Sequence, residues 1–181
     1  MKWFRLFSIF GWVREWGKDV SGRLRTREQQ ATKMEAVIFC GIQATGKTTF
    51  FKEKFFKTHI RISLDQLNTR NKEQKFIETC IATQQRYVVD NTNPTKQERA
   101  KYISVAKENK FKIIGYYFQS IINDALNRNS QRSGKEKIPE IGIKGTFNRL
   151  EIPTFDEGFD ELYFVEIENN EFKIKEWTNE I

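Results

Sequence analysis

EAVIFCGIQATGKTT, residues 35–49, is the stretch of sequence that decides the fold. Its first six residues, Glu35–Cys40, are mostly apolar and end at a glycine, which is typical of a buried strand. Residues 41–48 match the pattern G-x-x-x-x-G-K-S/T, and Thr49 follows it. They also lie where that pattern requires, after a strand and at the start of a helix. The stretch therefore predicts a P-loop, a glycine-rich turn that binds phosphate groups.

The chemistry of a P-loop follows from its backbone. Glycines let the chain curl so that successive N–H groups point at phosphate oxygens, and the positive end of the next helix adds to the attraction. The Lys47 ammonium is expected to reach the β and γ phosphates, and the Thr48 hydroxyl to bind Mg²⁺. We therefore expect ATP and Mg²⁺ here, and a purely structural glycine-rich turn is the alternative. The predicted nucleotide-binding residues are Gly41, Gln43, Ala44, Thr45, Gly46, Lys47, Thr48 and Thr49.

Strand and helix patterns alternate from Met34 onward. Strands are predicted at 35–40, 59–63, 87–90, 111–118 and 161–166, with an extra strand allowed at 171–177. Helices are predicted at 47–57, 72–84, 94–108, 120–129 and near 145–150, and 130–139 is a polar, basic loop. Such alternation implies a parallel sheet covered on both faces. The predicted fold is a three-layer α/β/α P-loop domain with a mostly parallel five-stranded sheet.

Two acidic segments follow predicted strands. Asp65 comes after the second strand, whose carboxyl end faces the same crevice as the P-loop, so it can accept a proton from an attacking hydroxyl. A helix N-cap is the alternative role for Asp65. Asp90 opens DNTNPT, residues 90–95, and is placed to hold a water on Mg²⁺ or to brace the P-loop. Asn91 and Asn93 are predicted to orient substrate, and an Asx/Pro turn entering a helix is the alternative.

A basic segment follows the fourth predicted helix. Arg128 and Arg132 lie four residues apart in RNSQR, at a helix end and before the basic loop. This arrangement suits a lid that closes on the charge of the γ-phosphate. A solvated basic face is the alternative.

Taken together, these motifs resemble P-loop kinases of the polynucleotide kinase type, within the AAA-type ATP-binding kinases. The ending RLEIPTFDEGFDE, residues 149–161, resembles them too, and the likeness covers about 34–167. The resemblance implies that Lys47 binds phosphate, Thr48 binds Mg²⁺ and Asp65 is the general base. It also implies that Arg128 and Arg132 neutralise the transferring phosphoryl group. One departure is Asn68, where these kinases often carry an arginine, and Arg70 is out of register.

The basic charge of the chain is concentrated near its start. Of the net charge of +7, residues 1–33 hold eight Lys/Arg and three Asp/Glu, which leaves only +2 for 34–181. Residues 1–33 are interpreted as an extension in front of a kinase domain at 34–181. The apolar start, MKWFRLFSIFGWVREWGKDV, is interrupted by Arg5 and Arg14 and is too short to span a bilayer. It fits a helix on the domain's own surface, a membrane- or partner-binding amphipathic helix, or an upstream start-site artefact before Met34.

The length and composition of the chain limit the number of domains, the redox environment and the kind of metal site that we expect. A length of 181 residues is that of one domain. Two distant cysteines, Cys40 and Cys80, indicate a reducing, cytoplasmic setting. A single histidine, His59, argues against zinc and for oxygen ligands on any metal.

The leading functional hypothesis is transfer of the γ-phosphoryl group of ATP to a hydroxyl, the 5′-hydroxyl of DNA or RNA. Single-stranded or duplex nucleic acid ends are then the partners. The sequence leaves open a small-molecule kinase acting on a nucleoside, sugar or antibiotic, and an ATP-binding module or ATPase that transfers nothing. Asp65 argues against the latter, because a switch needs no hydroxyl base. A membrane-docked adaptor with a vestigial site is opposed by the intact Lys47 and Thr48 pair, and the oligomeric state stays open.

Overall fold

Strands and helices alternate along residues 34–178, the part of the chain that this computed structural model describes. The strands are β1 (Glu35–Cys40), β2 (Ile60–Ile62), β3 (Tyr87–Val89), β4 (Lys112–Phe118), β5 (Glu161–Glu168) and β6 (Glu171–Glu176). The helices are α1 (Lys47–Lys54), α2 (Leu64–Leu67), α3 (Arg70–Ala82), α4 (Lys96–Glu108), α5 (Ile122–Ser130) and α6 (Glu140–Asn148). The predicted alternation is therefore confirmed.

All six strands form one sheet in the order β2-β3-β1-β4-β5-β6. Strands β1 to β5 pair in parallel, and β6 pairs antiparallel with β5. The predicted class is confirmed, but the sheet has six strands instead of five. The sixth strand forms because Asn169 and Asn170 both adopt positive φ, 51° and 64°. Two such residues in a row make the tight turn that closes a β-hairpin.

Side chains of β1 alternate between two buried layers. Ala36 and Ile38 belong to the cluster that packs under α3 and α4. Val37 and Phe39 belong to the cluster on the opposite face, which contains Phe50 of α1. Successive residues of a strand point to opposite faces, so the central strand is covered on both sides. This arrangement confirms the three-layer architecture.

Several element bounds differ from the prediction. Helix α1 ends at Lys54 rather than near 57, and Phe56, which lies within the predicted helix, is 70% exposed. The short helix α2 lies between the predicted strand at 59–63 and the predicted helix at 72–84, where no element was predicted. Helix α6 begins at Glu140, earlier than predicted, because Pro139 stands at its N-cap and fixes the backbone there. Gly142 and Gly145 inside α6 weaken the helical signal in the sequence.

The hypotheses about residues 1–33 concern a part of the chain outside the described residues. Among residues 34–178, no helix is both long and apolar enough to cross a membrane.

Candidate active site

Strands β1, β2 and β3 end at the same edge of the sheet, and the segments that follow them line one cleft. Its cavity volume is about 260 Å³. Most predicted site residues line it: Gln43, Ala44, Gly46, Lys47, Thr48, Thr49, Asp65, Asp90, Asn91, Asn93 and Arg132. Ligands of open α/β sheets bind at this edge, so the cleft is the candidate active site.

The P-loop joins β1 to α1 through backbone conformations that favour glycine. Gly41 has a φ of +143°, and a Cβ there would lie 2.9 Å from the Phe118 carbonyl oxygen. Gly46 has a φ of +89° and stands directly before the first residue of α1. Ala44 also has a positive φ, 61°, which is uncommon for a residue with a side chain. The loop therefore delivers the N-terminus of α1 to the cleft, where its free N–H groups can bind an anion.

The Lys47 side chain is folded back into the loop. Its Nζ donates hydrogen bonds to the carbonyl oxygens of Gly41, at 2.9 Å, and Ile42, at 2.5 Å, and to Thr45 Oγ1 at 3.2 Å. Burial lowers the pKa of Lys47 to about 8, and the nearby Asp90 carboxylate opposes that shift. A phosphate group can therefore replace weak neutral acceptors as the partner of this ammonium.

Thr48, Asp90 and Arg61 form a compact cluster beside the P-loop. Thr48 Oγ1 donates to Asp90 Oδ2 at 3.0 Å. Arg61 Nε donates to the same Asp90 oxygen at 2.7 Å, and Nη2 forms an ion pair with it at 2.6 Å. Its Nη2 also donates to Thr48 Oγ1 at 3.1 Å. The two residues predicted to bind Mg²⁺ are thus in contact, and this hydrogen bond joins Asp90 to the first turn of α1.

Asp65 lies in the first turn of α2 and lines the cleft. Its side chain is exposed, and the N-cap of α2 is Ser63, so capping is not the role of Asp65. Asn91 Oδ1 accepts a hydrogen bond from the Leu64 N–H at 2.9 Å, which ties the start of α2 to the loop after β3. Asn91 therefore positions the helix that carries Asp65, in addition to lining the cleft.

A buried carboxylate on α3 holds Asn91 in place. Glu73 is 3% exposed and accepts from Asn91 Nδ2 at 2.6 Å. Its carboxylate also accepts from the Tyr102 hydroxyl, at 2.9 Å, and from Arg70 Nη1, at 2.9 Å. Burial and the charge of Glu73 raise the pKa of Tyr102, so this phenol stays a donor. Arg70 lines the cleft, so the network extends from the protein interior to the cleft.

Asn93 does not offer its side-chain amide to a ligand. It is 2% exposed, and its Nδ2 donates to the Phe39 carbonyl oxygen at 2.8 Å. The prediction that Asn93 orients substrate is therefore wrong for its side chain. The amide instead fastens the loop after β3 to the end of β1, because a buried polar group needs a partner.

Arg99 anchors residues 149–161, the last of the segments on which the resemblance rests. This residue is fully buried, and its guanidinium pairs with Glu157 at 2.6 and 2.7 Å. Its Nη1 also donates to the carbonyl oxygens of Asn93, Pro94 and Glu151. One side chain on α4 therefore joins the DNTNPT loop to the 149–161 segment.

The two predicted lid arginines have different environments. Arg132 lines the cleft, whereas Arg128 Nε donates to the Ala44 carbonyl oxygen of the P-loop at 2.7 Å. The basic loop at 130–139 is closed by Asn129, whose side chain forms two hydrogen bonds with the backbone of Ile138, at 2.7 and 3.0 Å. Arg132 therefore lies at the cleft, and Arg128 is bound to the backbone of the P-loop.

Helix α6 also contacts the P-loop. Gln43 Nε2 donates to Thr146 Oγ1 at 2.9 Å, so the predicted nucleotide-binding side chain is engaged by α6. Thr45 Oγ1 bonds to the Ile42 carbonyl oxygen at 2.9 Å and stabilises the turn from within.

Sequence reasoning missed three charged residues of this region: Arg61, Glu73 and Arg99. A signal was present for Glu73 and Arg99, whereas Arg61, in a three-residue strand, gave none. Glu73 is in helical register with buried Ile77, and Arg99 with buried Ala106, so both lie on apolar faces. A charged residue on such a face requires a partner, which marks it as part of a network.

Comparison with known proteins identifies the domain. A family model described as an AAA domain matches residues 37–151, more than half of the chain. A bifunctional polynucleotide phosphatase/kinase of Schizosaccharomyces pombe is 28% identical over 138 residues, which cover 74% of this chain and 34% of the relative. The chain thus spans about a third of the length of that relative.

Solved structures show the same fold. One is that of the Pnkp1/Rnl/Hen1 RNA repair complex, with a TM-score of 0.55, 18% identity, and coverage of 70% of this chain and 47% of that chain. A gluconokinase from Sinorhizobium meliloti 1021 has a TM-score of 0.52, 14% identity, and coverage of 73% and 82%. At these identities the likeness concerns the fold alone.

Proposed function

The chain belongs to the AAA domain family, and on that premise we propose that it transfers the γ-phosphoryl group of ATP to a hydroxyl acceptor. One observation carries the proposal. The cleft that contains the P-loop lysine, Lys47, is also lined by Asp65, from the segment after β2, the strand on the far side of β3 from β1. A phosphate-binding loop and a free carboxylate in one cleft are what transfer to a hydroxyl requires.

The donor side is supported by the P-loop. The N-terminus of α1 and the Lys47 ammonium are the groups that would hold the β and γ phosphates. Arg132, which also lines the cleft, would contact the γ-phosphate, and Arg128 would keep the loop in shape through Ala44. Donor binding thus combines backbone N–H groups with two side-chain cations.

The donor set of Thr48 and Asp90 fits Mg²⁺. A hydroxyl oxygen and a carboxylate oxygen lie 3.0 Å apart, and hard oxygen ligands are those that Mg²⁺ prefers. When bound, Mg²⁺ supplies charge neutralisation on the phosphates of the donor. Thr48 and Asp90 would hold it, directly or through water.

The transfer step assigns the proton to Asp65. The acceptor oxygen forms a bond to the γ-phosphorus while the bond from that phosphorus to the β–γ bridging oxygen breaks. The acceptor proton passes to the Asp65 carboxylate, and ADP leaves. Asn91 would keep Asp65 in position through the Leu64 N–H, since this bond fixes the start of α2.

The proposed acceptor is the 5′-hydroxyl end of DNA or RNA. Support comes from the relative described as a polynucleotide phosphatase/kinase, which is 28% identical over the matched region. Arg70 lines the same cleft as Asp65, with its side chain 50% exposed, so a cation is available to a phosphate of the acceptor strand. Arg70 would thus serve where the resembling kinases often place an arginine three residues after the base.

An acceptor competition tests the proposal. The protein is incubated with Mg²⁺, γ-labelled ATP, a 5′-hydroxyl oligonucleotide and an otherwise identical 5′-phosphate oligonucleotide. Label on the first and none on the second is the expected result. A parallel panel of sugars and nucleosides covers the small-molecule alternative. Label on a sugar or nucleoside and not on the oligonucleotide would show that the acceptor is a small molecule. Release of inorganic phosphate alone would indicate an ATPase.

A further inference from the structure

Arg61 reaches the metal-binding residues from the edge of the sheet. It is the middle residue of β2, between Ile60 and Ile62, so its side chain leaves the strand on the face opposite to fully buried Ile62. There its guanidinium lies 5.9 Å from the centre of the Phe51 ring of α1. The side chain is 18% exposed. A cation is therefore held at this place by packing as well as by charge.

The guanidinium occupies the space around the two candidate metal ligands. Asp90 Oδ2 accepts a hydrogen bond from Arg61 Nε at 2.7 Å and lies 2.6 Å from Nη2, and Thr48 Oγ1 accepts a hydrogen bond from Nη2 at 3.1 Å. The Asp90 side chain is only 2% exposed, so its charge has little solvent to screen it. Arg61 is thus the counter-ion of this buried carboxylate.

A divalent cation on the same two oxygens would compete with Arg61. A hydroxyl has two lone pairs, and one of those on Thr48 is already used by Arg61. Mg²⁺ also demands near-octahedral geometry with oxygens at about 2.0–2.1 Å, which leaves no room for a cation hydrogen-bonded to the same oxygens. Like charges at such a distance repel strongly in a buried site. The phosphates of a nucleoside triphosphate add negative charge and oxygen ligands that shift this balance toward the metal.

We propose that Arg61 is a resident cation that suppresses Mg²⁺ binding until a nucleoside triphosphate is present, so that metal and nucleotide enter together. This inference rests on the proposed function, because it assumes that Thr48 and Asp90 serve a nucleotide-bound metal. When the complex of metal and nucleotide binds, Arg61 then breaks its hydrogen bond to Thr48 or changes its contacts with Asp90. The site avoids holding a metal ion without its substrate.

Mn²⁺ serves as the probe, because paramagnetic resonance counts the free ion directly. Its affinity is measured on the full chain without nucleotide, for the wild type, Arg61→Gln and Arg61→Lys. Arg149→Gln is the matched control: it removes one positive charge at an exposed residue that does not line the cleft. Arg61→Gln is expected to bind Mn²⁺ about tenfold more tightly than the wild type, the size of a typical coupling between two ligands. Arg61→Lys and Arg149→Gln are expected to stay close to the wild type.

The same titrations with a non-hydrolysable ATP analogue complete the test. Nucleotide should strengthen Mn²⁺ binding more in the wild type than in Arg61→Gln, because the variant has no resident cation to displace. Equal or weaker Mn²⁺ binding by folded Arg61→Gln, with nucleotide binding intact, would overturn the inference and make Arg61 a support for Asp90. If the wild type binds no Mn²⁺ even with the analogue, the metal role of Thr48 and Asp90 fails, and with it this inference and that part of the proposed function. Melting temperatures in EDTA establish that each variant is folded.

Discussion

Asp65 separates phosphoryl transfer from simple nucleotide binding, because a hydroxyl acceptor needs a base and a bound phosphate does not. We expect Asp65→Asn to lower kcat by roughly 10²- to 10⁴-fold, the usual contribution of a general base. ATP affinity should hardly change, because the phosphates are bound by the P-loop. Kinetics with saturating acceptor and a separate ATP titration measure the two effects.

Asp124→Asn is the control for this variant. Asp124 is also an exposed acid in the first turn of a short helix, α5, and it does not line the cleft. Its replacement should leave kcat and the affinity for ATP unchanged. If Asp65→Asn instead loses ATP affinity while bound ATP still turns over, Asp65 serves the metal or the fold, and its role as base is wrong.

The identity of the P-loop residues was predictable, whereas that of their partners was not. Lys47 and Thr48 are fixed by a spacing whose chemistry is local to one turn of chain. Arg61 contacts Thr48 across 13 positions of sequence, and Asp90 contacts it across 42. Such contacts depend on which strands become neighbours in the sheet. Asn93 failed as a substrate residue for the same reason, since its partner Phe39 is 54 positions away.

At the scale of elements, α3 is expected to govern the acceptor side of the site through Glu73. We expect Glu73→Gln to lower kcat by on the order of 10- to 100-fold, because small misplacements of a catalytic group are costly. The KM for ATP should stay close to that of the wild type, since the network of Glu73 reaches Asn91 and α2 rather than the P-loop.

Glu78→Gln, an exposed position on the same helix, provides the comparison for Glu73→Gln. It should behave as the wild type. A general structural defect would lower the melting temperature of Glu73→Gln and raise the KM for ATP along with the loss of kcat. That pattern would contradict a positioning role.

The turn from β1 to α1 depends on glycine at its first position. Gly41→Ala should cost about 1–3 kcal/mol of unfolding free energy, because the φ of +143° is strained for any side chain. The new Cβ would also lie 2.9 Å from the Phe118 carbonyl oxygen. Gly145→Ala, in α6 with nothing within 4 Å of the added Cβ, should be neutral or stabilise by up to about 1 kcal/mol. Urea denaturation of both variants checks the pair, and equal stabilities would refute the steric argument.

Elements with a strong local pattern were predictable, and those set by neighbours were not. The apolar run of β1 and the run that forms β4 needed no tertiary information, because a buried strand reads as a continuous apolar segment. The four-residue helix α2 has too few residues to show a period. Its start is fixed by Asn91, from another segment, so no local signal announced it.

At the scale of the whole molecule, Arg99 ties distant segments into one frame for the site. It lies on α4 and bonds to the loop after β3 and to Glu157 near the end of the domain. The sequence identified the 149–161 segment by resemblance but gave no reason for its presence. The structure supplies one: the segment provides the carboxylate and a carbonyl oxygen that satisfy a buried guanidinium.

The central claim is that the γ-phosphoryl group goes to an acceptor and not to water. The most direct test counts products per ATP consumed, with γ-labelled ATP, Mg²⁺ and excess 5′-hydroxyl oligonucleotide, for the wild type, Lys47→Ala and Lys52→Ala. The account predicts one labelled oligonucleotide for each ATP consumed by the wild type. Lys52→Ala, exposed on the same helix, should match it, and Lys47→Ala should give no product because the phosphates lose their charge partner. Inorganic phosphate released at the same rate with and without the oligonucleotide, and no labelled oligonucleotide, would contradict the account.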